Sequence, residues 1–275
     1  MSAPDLEAEY NNRARVPGHP ETMQRWAREA AAYRDAVAAR AQLDQPYGEG
    51  ERQRYDLFRA AQPRADAPLL LFIHGGYWQA LDKSWFSQMA RGANVHGLDV
   101  AVMSYDLCPA VAIADIVEET IACTRALRSR HGRQILPFGH SAGGHLSACL
   151  AATDWTAHGE PADLIAGALP ISGLFHLAPL VQTSLNKALG LDAAAAARLS
   201  PLTWTPRRDL AVTAVVGGAE APEYLRQTRS LVELWAIMGA RTRAVEVAGA
   251  DHFTVVLPFA DPDSALTREL VALAS

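Results

Sequence analysis

Hydrophobic positions change their spacing along the chain near residue 55. Before that point, residues 22–41 are rich in Ala, Arg and Glu, with Met23, Trp26, Ala30, Tyr33 and Val37 three or four positions apart. That spacing predicts a helix with one apolar face. The turn-forming run Gln45-Pro46-Tyr47-Gly48-Glu49-Gly50 ends it. A sticky helix leading straight into a strand is expected to pack on the domain that the strand begins. Residues 1–46 are therefore read as a helical arm and residues 47–275 as the main domain.

From Tyr55 onward, short apolar runs alternate with helical stretches. Residues 55–59 alternate like an edge strand, whereas 69–73 and 100–102 are continuously apolar, as strands covered on both faces must be. Further strands are expected at 135–138, 165–171, 211–216 and 242–247. Helices are expected at 112–130, 142–152, 222–238, with Pro222 in its first turn, and 263–273. Residues 193–197 are a run of alanine, a good helix former. Strands alternating with helices indicate βαβ units and an α/β fold with a mostly parallel central sheet. One residue strains this reading: Pro137 lies inside the expected central strand, where a missing amide is disfavoured.

Composition narrows the function. The 275 residues carry 25 basic and 30 acidic side chains, a formal charge of −5, which argues against a nucleic-acid surface. Lys83 and Lys187 are the only lysines, so lysine-centred chemistry has few candidates. No apolar run is long enough to span a membrane. Residues 1–7 are polar and acidic, unlike a secretory signal. Cys108, Cys123 and Cys149 are odd in number and widely spaced, which fits small buried hydrophobes in a reducing cytoplasm better than disulfides or zinc.

Gly139-His140-Ser141-Ala142-Gly143 follows an expected strand and opens an expected helix. This is G-x-S-x-G in the strand–turn–helix setting that lifts a serine above a sheet as a nucleophile. The turn is so sharp that side chains at the glycine positions would collide with neighbouring backbone. His74-Gly75-Gly76-Tyr77-Trp78 follows an earlier strand, where an oxyanion loop belongs. In such a motif the amides of Gly76 and Tyr77 join that of Ala142 around the developing oxyanion.

A serine needs a base, and the base an orienting acid, following it in the order acid then histidine. His252 stands after the last expected strand, where the base belongs. His145 is its rival, four residues beyond Ser141 on one helical face, but its helix leads away and no acid attends it. Glu220 emerges at the C-terminal end of the 211–216 strand, on the rim where α/β sheets bind ligands. Glu223 competes, although a carboxylate in a helix's first turn is explained by the dipole. Asp251 is too close in sequence to His252 to bond its ring without strain. Trp78, His140, Phe175, His176, Trp204 and Phe253 are candidates for the pocket wall. There is no His-Glu-x-x-His, no clustered Cys/His spacing and no glycine-rich phosphate loop, so neither metal nor cofactor is expected.

Taken together, His-Gly-Gly-Tyr-Trp, Gly-His-Ser-Ala-Gly-Gly-His, Ala221-Pro222-Glu223-Tyr224 and Asp251-His252-Phe253 resemble the α/β-hydrolases. More narrowly they resemble the arylformamidase (kynurenine formamidase) branch, near the hormone-sensitive-lipase-like esterases. The resemblance runs from about Tyr47 onward. It implies a triad of Ser141, Glu220 and His252, with oxyanion amides on Gly76 and Tyr77. The sequence departs from the branch at Glu220, where aspartate is usual. It implies hydrolysis of an aryl formamide or a small ester, with a small-molecule substrate and no nucleic-acid or membrane partner; a homodimer stays open. Two other functions also stay open, a short-chain carboxylesterase and a hydrolase-fold binding protein without turnover.

Overall fold

The structure, a computed structural model, describes residues 5–275. Residues 1–4, which belong to the arm and to the polar N-terminal stretch, lie outside the described residues. Eight strands form one sheet: β1 (Ala41–Pro46), β2 (Arg54–Phe58), β3 (Leu69–Ile73), β4 (Val100–Met103), β5 (Ile135–His140), β6 (Gly167–Ile171), β7 (Ala211–Gly217) and β8 (Arg241–Val247). Their order across the sheet is β1-β2-β4-β3-β5-β6-β7-β8. The β1–β2 and β2–β4 pairs are antiparallel, and every later pair is parallel.

Helices precede and cover the sheet: α1 (Leu6–Tyr10), α2 (Asn12–Arg15), α3 (His19–Ala36), α4 (Met89–Val95), α5 (Ile113–His131), α6 (Ala142–Ala152), α7 (Asn186–Leu189), α8 (Ala193–Arg198), α9 (Pro222–Ile237) and α10 (Ala265–Leu273). Alternate residues of β3 feed two cores. Leu69, Leu71 and Ile73 join the core of α5, α6 and α9, and Leu70 and Phe72 that of α3, α4 and α10. Burial on both faces explains why such strands read as unbroken apolar runs.

The arm differs from its expected form. Its long helix ends at Ala36, and residues 41–46 are the edge strand β1 rather than helix and turn. The 54–58 strand is therefore interior. The side chains of β1 are mostly exposed and a register shift separates Gln42 from Gln45, so no alternation marks it in sequence. A charge cluster fixes it instead, with Asp56 and Lys83 sheltered and Asp44 exposed. Lys83 Nζ lies 2.6 Å from Asp44 Oδ1 and 2.7 Å from Asp56 Oδ1, and the Asp44 amide donates to Asp56 at 2.8 Å.

Pro137 does lie in the sheet centre, and the ladder accommodates it. Leu69 donates to Gln134 on one side, while Ile135 donates to Leu164 on the other, so alternate residues of β5 face β6. Pro137 shares the β6-facing set with Ile135. Between the Ile135–Ile165 bridge and the Phe138–Leu169 pair, the β6 side carries one extra residue. The missing amide falls within that irregularity.

Candidate active site

Ser141 sits between β5 and α6 with φ 58° and ψ −115°, a conformation that costs a non-glycine residue about 1–3 kcal/mol. The turn explains the glycine that follows: a Cβ on Gly143 would stand 1.9 Å from the Ile73 carbonyl oxygen. The Ser141 amide is held by the Ile171 carbonyl at 2.8 Å. Strain is thus stored in the backbone so that Oγ stands over the strand ends.

His252 Nε2 is 3.0 Å from Ser141 Oγ, and His252 Nδ1 is 2.6 Å from Glu220 Oε2. All three residues are at most 5% exposed. The other oxygen of Glu220 accepts from Ser172 Oγ at 2.5 Å and from the Gly217 amide at 2.7 Å. With Nδ1 donating to that charged carboxylate, Nε2 is left free to accept the serine proton. The loops carrying acid and histidine are tied together, since the Ala219 amide donates to the Ala250 carbonyl at 2.9 Å.

The rivals have other employment. His145 lies buried with Nε2 2.8 Å from the Leu199 carbonyl, and burial pushes its pKa down to about 4. Glu223 accepts from Tyr10 Oη and makes a two-point pair with Arg226, which holds its carboxyl below the ordinary range. Asp251 Oδ1 caps its own turn, accepting from the amides of Phe253 and Thr254 at 2.8 and 2.9 Å.

The His74–Trp78 loop lies against the serine: a Cβ on Gly75 would stand 3.0 Å from Ser141 Cβ. Gly76 takes φ +109°, and a side chain there would meet the Ala80 carbonyl at 2.2 Å. Tyr77 follows at φ 51° and Trp78 at φ 57°. Among the described residues, the amides of Gly76, Tyr77 and Ala142 bond to no other group of the chain. His74 pins the loop from below. Its ring stacks on Tyr105 at 4.2 Å, its Nδ1 meets the Gly75 carbonyl, and burial lowers its pKa to about 4, so it stays neutral.

A cavity of about 310 Å³ opens over Ser141 and His252. Of the expected wall residues, His140 and Phe253 line it and four do not. Trp78 is fully buried, its ring edge-on to His145 at 5.1 Å, and belongs to the core. Phe175 is likewise buried, and its amide and that of His176 both donate to Gln227 Oε1. Trp204 packs on the core from outside with Nε1 on the Arg198 carbonyl. Each stands near a motif in sequence but turns to another face.

The opposite wall comes from the arm, which no motif in the sequence connects to the site. Glu7, Tyr10, Asn12, Arg13, Met23 and Trp26 line the cavity. Tyr10 Oη donates to Glu223 at 2.8 Å and accepts from Gln227 at 2.7 Å. Tyr77 Oη donates to the Tyr10 carbonyl, so Tyr224 Oη donates to Tyr77 at 2.6 Å and in turn accepts from Asn12 Nδ2 at 2.8 Å. The Tyr224 ring lies 4.7 Å from that of His252. One set of contacts thus joins the arm, the His74–Trp78 loop and His252. The other residue that sequence reasoning misses is Ser172, which looks like an ordinary post-strand turn. Among the described residues, no group of three or more His, Cys, Asp or Glu side chains is placed to hold a metal ion, and no helix is long and apolar enough to cross a membrane.

Comparison with known proteins bears on the family and the fold. The family described as alpha/beta hydrolase fold matches residues 70–256. A kynurenine formamidase of Salmo salar is 29% identical over 241 residues, covering 84% of this chain and 81% of that protein. Its counterpart in Drosophila melanogaster is 26% identical, covering 82% and 78%. A crystal structure from Silicibacter sp., provisionally described as a thioesterase, superposes with a TM-score of 0.87 at 39% identity, covering 97% of this chain and 98% of that one.

Proposed function

The chain belongs to the alpha/beta hydrolase fold family, and from that premise we propose that it is a serine hydrolase acting on an aryl formamide through Ser141. The observation that carries the reading is His252, bridged between Ser141 Oγ at 3.0 Å and Glu220 Oε2 at 2.6 Å. Similarity to kynurenine formamidases along most of the chain supports the formamide.

The steps follow from the geometry. Ser141 Oγ attacks the formyl carbon while His252 Nε2 takes its proton. Glu220 keeps Nδ1 protonated and stabilises the imidazolium that forms. The carbonyl oxygen becomes an oxyanion facing the unpaired amides of Gly76, Tyr77 and Ala142, which need no reorganisation to receive it. As the C–N bond breaks, His252 returns the proton to the departing amine. Water, deprotonated by His252, then attacks the formyl ester and releases formate and free Ser141.

The Silicibacter likeness favours a second reading, a small thioester or ester as substrate, with the same steps and a different leaving group. Cys108, Cys123 and Cys149, all free and buried, fit a reducing compartment such as the cytoplasm. The test is parallel turnover of N-formylkynurenine, acetyl thioesters and p-nitrophenyl esters of increasing chain length, with fluorophosphonate labelling of Ser141. Highest kcat/KM on the formamide is expected. Labelling with turnover confined to esters or thioesters would discard the formamide, and no labelling would discard the serine chemistry.

A further inference from the structure

Neighbouring strands end around the triad, and each contributes one polar side chain: Ser141 after β5, Ser172 after β6, Glu220 after β7 and His252 after β8. The reaction as derived above employs Ser141, Glu220 and His252 and leaves Ser172 without a part. Ser172 is fully buried, and its backbone takes φ 48°, in the left-handed region that a non-glycine residue occupies only at a cost. Ser141, one strand away, holds the same kind of strained backbone to present its hydroxyl. The Ser172 amide donates to the Val215 carbonyl at 2.7 Å, which ties the turn to β7. The turn also presses on the helix that follows the nucleophile: a Cβ on Gly144 would stand 2.9 Å from Gly173 Cα.

The strain has a product. It carries Ser172 Oγ to 2.5 Å from Glu220 Oε1, the short separation of a hydroxyl donating to a carboxylate. The same oxygen accepts from the Gly217 amide at 2.7 Å. Oε1 is thereby engaged twice, and Oε2 is left to His252 Nδ1 at 2.6 Å. Glutamate is among the side chains with most rotamer freedom to lose. A contact at Oε2 alone would let the carboxylate plane turn about it, whereas contacts at both oxygens fix the plane.

We propose that Ser172 is a positioning residue for the reaction: its hydroxyl, with the Gly217 amide, holds Oε1 so that Oε2 meets His252 Nδ1 in one orientation. The inference rests on the serine-hydrolase reading. Ser172 does not line the cavity over Ser141, so it acts through the acid and serves turnover rather than substrate binding.

The experiment is a double-mutant cycle read on p-nitrophenyl acetate, with fluorophosphonate labelling of Ser141 in every protein. Ser172→Ala should lower kcat by about 10- to 100-fold, the range of one hydrogen bond to a charged group, with KM within about twofold. Ser172→Gly also removes the hydroxyl but suits the backbone, so it should be the more stable of the two in urea and equally slow. It carries the cycle if Ser172→Ala does not fold. Adding either change to Glu220→Gln should cost less than about twofold more, because the charge that Ser172 positions is already gone. An unchanged kcat in Ser172→Gly, a loss confined to KM, or equal losses in the Glu220 and Gln backgrounds overturns the positioning role and leaves the hydrolase. Neither labelling nor turnover in the intact protein removes the hydrolase reading and the role with it.

Discussion

The two walls of the cavity are built in different ways. Ser141, Glu220 and His252 stand beyond the C-terminal ends of β5, β7 and β8, and their positions follow from backbone bonds, such as Ser141 to Ile171 and Ala219 to Ala250. The facing wall is a set of helices, two of them very short, fastened by side-chain tips: Tyr10 on Glu223 and Gln227, Asn12 on Tyr224, Glu7 on Ser184. A backbone-fixed wall can hold reacting atoms to a few tenths of an ångström. A wall hung on side chains can be re-specified by changing those side chains, without disturbing the sheet. On the proposed reading, the reacting groups and the facing wall are separable parts of one site.

This separation breaks most sharply at Ser141. Ser141→Ala should lower kcat by about six orders of magnitude in a protein whose circular dichroism is unchanged. A rate near that of the parent would remove the sheet-built wall from the chemistry. Glu220→Gln should lower kcat by about three to four orders of magnitude, since the imidazolium loses its counter-charge. Glu223→Gln should stay within about tenfold in kcat, because Glu223 fastens the arm. Glu220→Asp keeps the charge with a shorter reach and should retain partial activity. If the Gln effects are exchanged, the two carboxylates have been assigned to the wrong walls.

Acid should separate the walls as well. His74 and His145, both on the sheet-built side, have pKa values lowered by burial to about 4. Protons then bind the unfolded chain more readily than the folded one. The stability these residues confer is complete above the unfolded pKa of about 6.5 and is lost as pH falls through about 4, about 3 kcal/mol for each. Urea midpoints measured across this range should decline steeply in the parent and less steeply in His145→Leu. Equal slopes would mean that His145 is protonated as easily folded as unfolded.

Tyr10→Phe is the gentlest probe. It removes the hydroxyl shared by Glu223 and Gln227, costs about 1–3 kcal/mol of arm docking, and should raise KM more than it lowers kcat. A fall in kcat with KM constant would show that the arm positions the reacting groups rather than the substrate.

The same division governs what can be read from the chain. The serine turn, the His-Gly-Gly loop and the base are legible because the chemistry demands particular residues beside strands, and strands announce themselves by burial. Glu220 is legible from its place at a strand's end. Ser172 is not, because a serine after a strand looks like any turn until its hydroxyl is seen on Glu220 Oε1. Trp78, Phe175 and Trp204 mislead because closeness to a motif says nothing about which face a ring occupies. Asn12, Arg13 and Trp26 carry no signature: they reach the site only through folding, more than a hundred positions from Ser141. Strand β1 escapes for a related reason, since an exposed edge shows no apolar alternation.

The anchoring of the arm also fixes an order of events in the making of the protein. Tyr10 meets Glu223 across 213 positions and Gln227 across 217, and Asn12 meets Tyr224 across 212. During vectorial synthesis α1 and α2 leave the ribosome long before α9, which holds Tyr10 and Asn12, exists. The two short helices must therefore wait in an unfinished chain, whereas the apolar face of α3 meets Phe58, Phe86 and Asn94, which are made much earlier, through Tyr33 and Trp26. Closure of these very long loops belongs late in folding, after the sheet has formed. The nascent protein acquires its sheet before the wall that faces Ser141, and a chain halted before residue 220 has neither Glu220 nor the surface that receives its own first helices.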